Sequence, residues 1–436
     1  MTEGREIPPL FAALRATWPL LLGVAILVLG NGLQGSLLGV RAGLEGFAEG
    51  LTGLIMAGFY AGFLMGSLAV PKLVQRVGHV RVFGALASLA SAAVLLHVIW
   101  LSVPGWIVIR LVTGFCFAGL YIVCESWLND RATNETRGQL LAVYMVIVTG
   151  GMAVGQYLLT LADPGGFVLF ALISILISVC LLPMMLGAAA QPGFLAPQAM
   201  TLKRLIRVSP AGTFGTFLAG LAHSVLLTLS VVYAGRIGFD LTDIANFMAA
   251  MLMGAVLLQL PIGRLSDGTD RRRIILALSV IAAIACAALP WQEGASIWRA
   301  ILAATAIGGM SFPLYAICVA YVNDYLQPQE MVGASAGLYV IYGVGATIGP
   351  LVAGPLMQAF GPLGFSLYLA VAHTVLAAFV IYRMTVREAA PIETQSPYAP
   401  MPLRAGQISA QMNPDAELPA EADTPVQGGP ILSPDP

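Results

Sequence analysis

Residues 120–130 read Leu120-Tyr121-Ile122-Val123-Cys124-Glu125-Ser126-Trp127-Leu128-Asn129-Asp130, and residues 314–324 read Leu314-Tyr315-Ala316-Ile317-Cys318-Val319-Ala320-Tyr321-Val322-Asn323-Asp324. Five positions are identical, and an aromatic replaces an aromatic at Trp127/Tyr321. Polar residues matching in register inside apolar runs mark an internal duplication at an offset of about 194 residues. The match continues downstream: Glu135 and Gly138 recur as Glu330 and Gly333, and Tyr144 and Gly150 as Tyr339 and Gly345.

Outward from this pair, apolar runs fall at about 17–40, 50–70, 82–102, 105–128, 138–160 and 166–187. A polar stretch over about 188–210 separates them from six more, at 211–234, 244–265, 274–291, 297–322, 332–357 and 364–384. Each is near the roughly 20 residues a membrane-crossing helix needs. In lipid only helices or closed barrels satisfy their backbone, and runs of this length lack the alternation of a barrel strand. The expected fold class is an all-α membrane protein with twelve transmembrane helices in two six-helix pseudo-symmetric halves.

Composition agrees. The chain has 436 residues, 58% hydrophobic and 10% charged, against about 25% charged in a soluble domain. Its formal charge of −1 excludes the basic field a nucleic-acid binder needs, so no nucleic-acid partner is expected. The five cysteines lie in apolar runs without a Cys-x-x-Cys pair, and neither a metal nor a cofactor is expected. No Gly-Lys-Ser/Thr phosphate loop and no nucleophile–base set is visible, which argues against ATP as the energy source and against an enzyme.

Basic residues fix the expected orientation. With the N-terminus cytoplasmic, 17 of the 21 Lys and Arg fall on the cytoplasmic side, leaving Arg41, Arg110, Arg236 and Arg299. The expected divisions are a cytoplasmic N-terminus (1–16), a first bundle (17–187), a cytoplasmic linker (188–210), a second bundle (211–387) and a tail (388–436). The tail holds ten Pro and seven acids against one base, Arg404, and is expected to be disordered.

Between the eighth and ninth runs lies Gly263-Arg264-Leu265-Ser266-Asp267-Gly268-Thr269-Asp270-Arg271-Arg272-Arg273. It resembles the loop signature of the major facilitator superfamily. The equivalent first-half loop, Lys72 to Arg81, is degenerate, with Gln75 in place of the acid. Arg110-Leu111-Val112-Thr113-Gly114 opens the fourth run as the family's Arg-x-x-x-Gly does. Gly345-x-x-x-Gly349-Pro350 resembles the hinge motif that antiporters carry in span five, where this chain has Gly151-x-x-x-Gly155-Gln156. The tract Glu125 to Asn129 resembles one in poorly characterised bacterial members.

The resemblance implies a secondary active transporter embedded in the lipid bilayer of the bacterial inner membrane, moving a small-molecule substrate by alternating access, with protons as the coupling ion. A non-transporting sensor or assembly factor that keeps the fold is the alternative. Ionisable groups within a span are functional candidates by default. Arg110, Gly114, Phe117, Tyr121 and Glu125 occupy an arc of about 80° on the fourth helix, a cavity-lining helix in the superfamily. Arg110 and Glu125 are expected in proton coupling. Glu125 has an alternative role as a partner of Lys72 or Arg76, and Arg110 one in bonding carbonyls. Asn31, Gln34, Arg110, Tyr121, Tyr144, His223, Tyr315, Tyr339 and Tyr342 are expected to contact substrate. Asp267, Arg271, Arg272 and Asp324 are expected to form a conformational latch. His97 and His373 are expected to be structural.

Overall fold

Helix ends in this chain are set by short polar signals. Ser102 accepts from the Gly105 N–H ahead of Pro104, and Ser209 accepts from the Gly212 N–H ahead of Pro210. Asp240 and Asp270 cap the helices that follow them, and Gln327 and Glu330 form a reciprocal capping box. Each arrangement satisfies donors that a helix start leaves orphaned. Gly78 at φ 93° and Gly361 at φ 61° turn the chain between successive helices in a conformation that favours glycine.

In the computed structural model these signals delimit twelve helical spans. The structure describes residues 9–133, 135–187, 199–292 and 296–401. Span one is Pro9–Leu44, span two Glu49–Val77, span three His79–Ile99, span four Val103–Arg131 and span five Arg137–Tyr157. Span six is Val168–Val179, continued by Leu181–Gly187. After a short helix, Leu202–Val208, span seven runs as Pro210–Thr228 and Ser230–Arg236, span eight as Leu241–Asp267 and span nine as Arg271–Ala287. Span ten is Ile297–Ser311 and Pro313–Asn323, span eleven Pro328–Phe360 and span twelve Pro362–Val386. Eleven of these are long and apolar enough to cross a membrane; span nine, at 17 residues, is the short one. No strand occurs among the described residues. Large side chains such as Ile99, Leu186 and Leu302 stand exposed on the outside, as a lipid-facing surface requires.

The two halves repeat one packing scheme. Span two packs on four as eight packs on ten, one on five as seven on eleven, and three on six as nine on twelve. Across the middle, two meets eleven and five meets eight. Lipid supplies no hydrophobic drive between helices, so close backbone approach at small residues carries the association. A Cβ on Gly114 would strike the Phe59 carbonyl, and one on Gly308 would strike the Met251 carbonyl. Gly155 lies against the Leu29 carbonyl as Gly349 lies against the Leu221 carbonyl. Gly151 faces Val28 and the Ala25 carbonyl as Gly345 faces the Phe217 carbonyl. The packing counterpart of Gly345 is therefore Gly151, one residue on from the Gly150 that sequence matching selects; Gly150 has nothing within 4 Å of its Cβ position. Gly35 on span one faces the Leu227 carbonyl on span seven at 3.7 Å, and Gly39 faces Val231. These pairs are repeat partners touching each other, which places the pseudo-two-fold axis between spans one and seven.

Several boundaries differ from expectation. Span one begins at Pro9, ahead of the apolar run, because Ala12, Ala13, Leu14 and Ala16 favour continuing the helix. The stretch expected as a linker contains the helix Leu202–Val208; residues 188–198 lie outside the described residues. Span ten breaks before Pro313, which has no N–H to continue the ladder, whereas span four runs unbroken past Gly119 at the same repeat position. The tail was expected to be disordered from 388. Instead, residues 391–401 pack against the bundle with Ala399 and Met401 buried, since carboxylates and apolar pockets of the second half satisfy a segment that cannot make a core of its own. Residues 402–436 lie outside the described residues.

Candidate functional site

Span four carries Glu125, fully buried, within two turns of its C-terminal end. The Tyr144 hydroxyl of span five donates to its Oε1 at 3.3 Å. Tyr315 of span ten, the repeat partner of Tyr121, lies within electrostatic reach of the same carboxylate. Tyr315 packs on Tyr342 of span eleven with ring centroids 4.8 Å apart, and Tyr342 lies 6.5 Å from Tyr339. Tyr339 meets Phe63 of span two at 6.4 Å, and Phe63 meets Tyr121 at 6.2 Å. The structure thus brings Tyr121, Tyr315, Tyr339 and Tyr342 into one aromatic cluster that crosses between the halves, with the Glu125–Tyr144 pair within electrostatic reach of Tyr121 and Tyr315. Lys72 and Arg76 are exposed, and among the described residues neither is in an ion pair.

His223 is tied into the second half by both ring nitrogens. Its Nε2 lies 2.9 Å from the Ser311 carbonyl and its Nδ1 3.3 Å from the Tyr342 hydroxyl. A carbonyl only accepts, so Nε2 carries the hydrogen and Nδ1 accepts from Tyr342. His373 Nδ1 sits 2.8 Å from the Leu369 carbonyl, which makes its Nε2 the acceptor for the Ser311 hydroxyl at 2.9 Å. The substrate contact expected of His223 competes with this chain of bonds. His97 packs against Trp106 and Phe170.

Arg110 is buried with its guanidinium over the Phe59 ring, 4.3 Å from the centroid. The face of span four that holds Arg110, Gly114 and Phe117 lies against span two, with Phe117 6.2 Å from Phe59. A glycine-lined contact with span two takes up the face of span four that holds Gly114, with Phe59 covering the Arg110 guanidinium. Asn31 and Gln34 are buried on span one, and Asn31 Nδ2 and Gln34 Nε2 have no hydrogen-bond partner among the described residues. A buried donor without a partner costs about 1–3 kcal/mol, so these two amides are poised for a ligand or water.

Gln156, which stands where the hinge motif has Pro, stitches span five to span one. Its Nε2 donates to the Gly32 carbonyl at 3.2 Å, and its Oε1 accepts from Ser36.

The loop signature builds a charged cluster at the Arg-rich end. Arg271, fully buried, donates from Nε to Asp324 Oδ2 at 2.9 Å and from Nη2 to Asp267 Oδ1 at 3.2 Å. Its Nη1 reaches the Ser266 hydroxyl at 2.8 Å. Arg272 turns away from this group and pairs with Asp270 at 2.8 Å. The expected four-residue latch is therefore a triad of Asp267, Arg271 and Asp324 beside a separate Asp270–Arg272 pair, because the cap position at the start of span nine draws Arg272 to its own N-terminal turn. Burial pushes the Asp324 carboxyl up to about 6, with Arg271 and the Ser396 N–H pulling the other way.

At the opposite end the halves close on each other. Gly53 of span two lies on the Pro350 carbonyl and Gly354 of span eleven on the Glu49 carbonyl. Glu49 also pairs with Arg236 of span seven. No motif marks this ion pair. Charge complementarity between the starts and ends of separate runs was its only sequence trace.

A family model described as Major Facilitator Superfamily matches residues 20–211 and 212–413. An uncharacterized MFS-type transporter of Enterobacter sp. (strain 638) is 24% identical over 344 residues, covering 78% of this chain and 88% of the relative. The uncharacterized MFS-type transporter YcaD of Escherichia fergusonii is 25% identical over the same length and shares. Among solved structures, the nucleoside transporter NupG superposes with a TM-score of 0.70 at 12% identity, covering 85% of this chain and 100% of that one. A bacterial homolog of the human lysosomal transporter Spinster, inward-facing and occupied, gives 0.71 at 14% identity, covering 89% and 99%.

Proposed function

The chain belongs to the major facilitator superfamily, and we propose that this multi-pass membrane transporter is a secondary active one, moving a small solute by alternating access with protons as the coupling ion. The observation that carries the proposal is the placement of Glu125. It is buried on span four, takes a hydrogen bond from Tyr144 of its own half, and lies within electrostatic reach of Tyr315 of the other. A carboxyl there feels any change in how the halves meet, and its charge is costly in a closed apolar site, so protonation and conformation are linked. The unpartnered amides of Asn31 and Gln34 are the polar anchors we assign to substrate, and the tyrosines of the cluster supply stacking faces. Arg110 and His223 we assign to holding spans two and seven in place, in support of the site rather than in it.

The Arg-rich end is assigned to the cytoplasm of a bacterial inner membrane by the positive-inside rule, with the chain's N-terminal helix starting on that side. The test is flux. Purified protein is screened for ligands by thermal shift, and each hit is followed in proteoliposomes with an imposed pH gradient. Accumulation that collapses when the gradient is dissipated supports the proposal. Hits that bind without gradient-driven flux overturn it.

A further inference from the structure

The segment from Pro391 to Met401 lies against the charged triad of the loop signature. Ser396 N–H donates to Asp324 Oδ1 at 3.2 Å, and Tyr398 N–H donates to Asp267 Oδ1 at 2.9 Å. Arg271 Nη2 donates to the Ser396 carbonyl. Gln395 Nε2 donates to the Thr269 carbonyl at 3.2 Å, and Gln259 Nε2 of span eight donates to the Met401 carbonyl at 2.7 Å. Pro391 and Gln395 sit in the extended polyproline region, and Pro397 and Pro400 have no N–H to leave unsatisfied. The segment is thus bound mainly through its backbone, with side-chain pockets setting its register, a common mode of peptide recognition.

Two pockets receive it. The Tyr398 ring lies over Gly263, where any Cβ would strike it. The Met401 side chain is buried with Leu205, Ala316, Val319, Ala334 and Leu338. Val319 is the repeat counterpart of Glu125, and Tyr315, which packs on Tyr342 in the central cluster, borders the same pocket. The segment therefore runs from the Arg-rich surface to the edge of the central cluster.

We propose that the Arg-rich mouth of the second half is a peptide-binding groove whose occupant is the chain's own Pro391–Met401 segment, and that this occupant is a stopper between the central site and the Arg-rich side. While docked, it holds Asp267, Arg271 and Asp324, the groups that would otherwise be free to lock spans eight, nine and ten against a neighbouring helix as the halves rock. Release of the segment opens the path and frees the triad together. The stopper's role in transport rests on the transporter reading above, but its docking does not.

The test is the reactivity of a thiol placed behind the stopper. The full-length Val319→Cys protein is exposed in detergent to a membrane-impermeant maleimide, with the chain's five buried cysteines as background. Adding Tyr398→Asp and Met401→Asp should speed labelling at least tenfold, and a synthetic peptide of residues 391–401 added in trans should slow it again. A scrambled peptide should not. Equal labelling with and without the tail substitutions overturns the proposal, as does a peptide that gives no protection. Should the cysteine variant fail to fold, amide hydrogen exchange of residues 316–324 replaces it: exchange at least tenfold faster in the Tyr398→Asp, Met401→Asp protein supports the stopper, and unchanged exchange overturns it. Neither readout needs a substrate, so failure here is distinct from an absence of flux in every variant.

Discussion

The Tyr144 hydroxyl donates to the Glu125 carboxylate across 3.3 Å, joining span five to span four in the same half, with Tyr315 of the other half within electrostatic reach. Glu125 is thus held by its own half and sensed by its partner half. Replacing it with Gln keeps the volume and the bond from Tyr144 but removes the titrating group. Glu125→Gln is expected to bind ligand near the parent affinity while gradient-driven accumulation is lost. Uptake in vesicles that keeps its pH dependence in this variant would remove Glu125 from coupling.

The glycine contacts predict a stability effect at Gly114. Its Cβ position falls on the Phe59 carbonyl, which is backbone and cannot swing aside. Gly114→Ala is expected to cost about 1–3 kcal/mol as spans two and four separate. Gly150→Ala, one of the few glycines with open space around it, should leave the protein near parent stability. Thermal unfolding in detergent, run on both variants, checks the contrast.

Much of this was legible because the chain is written twice. Matching Tyr121 to Tyr315 and Tyr144 to Tyr339 selects three rings of the cross-half cluster and the hydroxyl that bonds Glu125 before any contact is known. Periodicity places Arg110 on the same arc as Glu125, yet a helical arc names only one helix's face. It does not say that Gly58 and Gly62 bring span two close enough for Phe59 to cover the guanidinium. The docked tail was hidden for a different reason. Its composition has few apolar residues and many prolines, and the groups that order it are two carboxylates, 72 and 131 residues from the backbone they hold, and a glycine still farther back in the chain.

At the end opposite the Arg-rich loops, Glu49 and Arg236 tie span two to span seven. Glu49 is buried and Arg236 largely exposed, so the pair is only partly shielded from screening. Contributions of about 0.2–1 kcal/mol are usual for exposed pairs. Arg236→Ala is expected to shift the closed population by a few-fold at most, with the larger effect at low salt. A cysteine at Gly50, beside Gln358 of span eleven, reports the opening as faster maleimide labelling from that side. Labelling that is indifferent to Arg236 would mean the glycine contacts alone keep this end shut.

Asp324 gives the pH dependence. Its carboxyl titrates near 6 in the folded protein against 3.8 for an ordinary aspartate, because burial outweighs the help of Arg271 and Ser396. Between those values the native chain holds a proton that the unfolded chain has released, so this group's contribution to stability rises as pH falls from about 6 toward 3.8. Asp267 shares Arg271 and faces the same site, so the effect must be read as a difference from Asp324→Asn, which keeps Asp267 intact. The stability of the parent relative to Asp324→Asn is expected to increase on acidification from pH 7 to pH 5, and a flat difference would contradict the raised titration. At neutral pH the more damaging change is at the other partner. Arg271→Ala leaves a buried carboxylate with its counter-charge removed, a situation that costs about 3–5 kcal/mol. The same variant is expected to recover part of its lost stability at pH 5, where Asp324 is protonated and no longer needs the guanidinium.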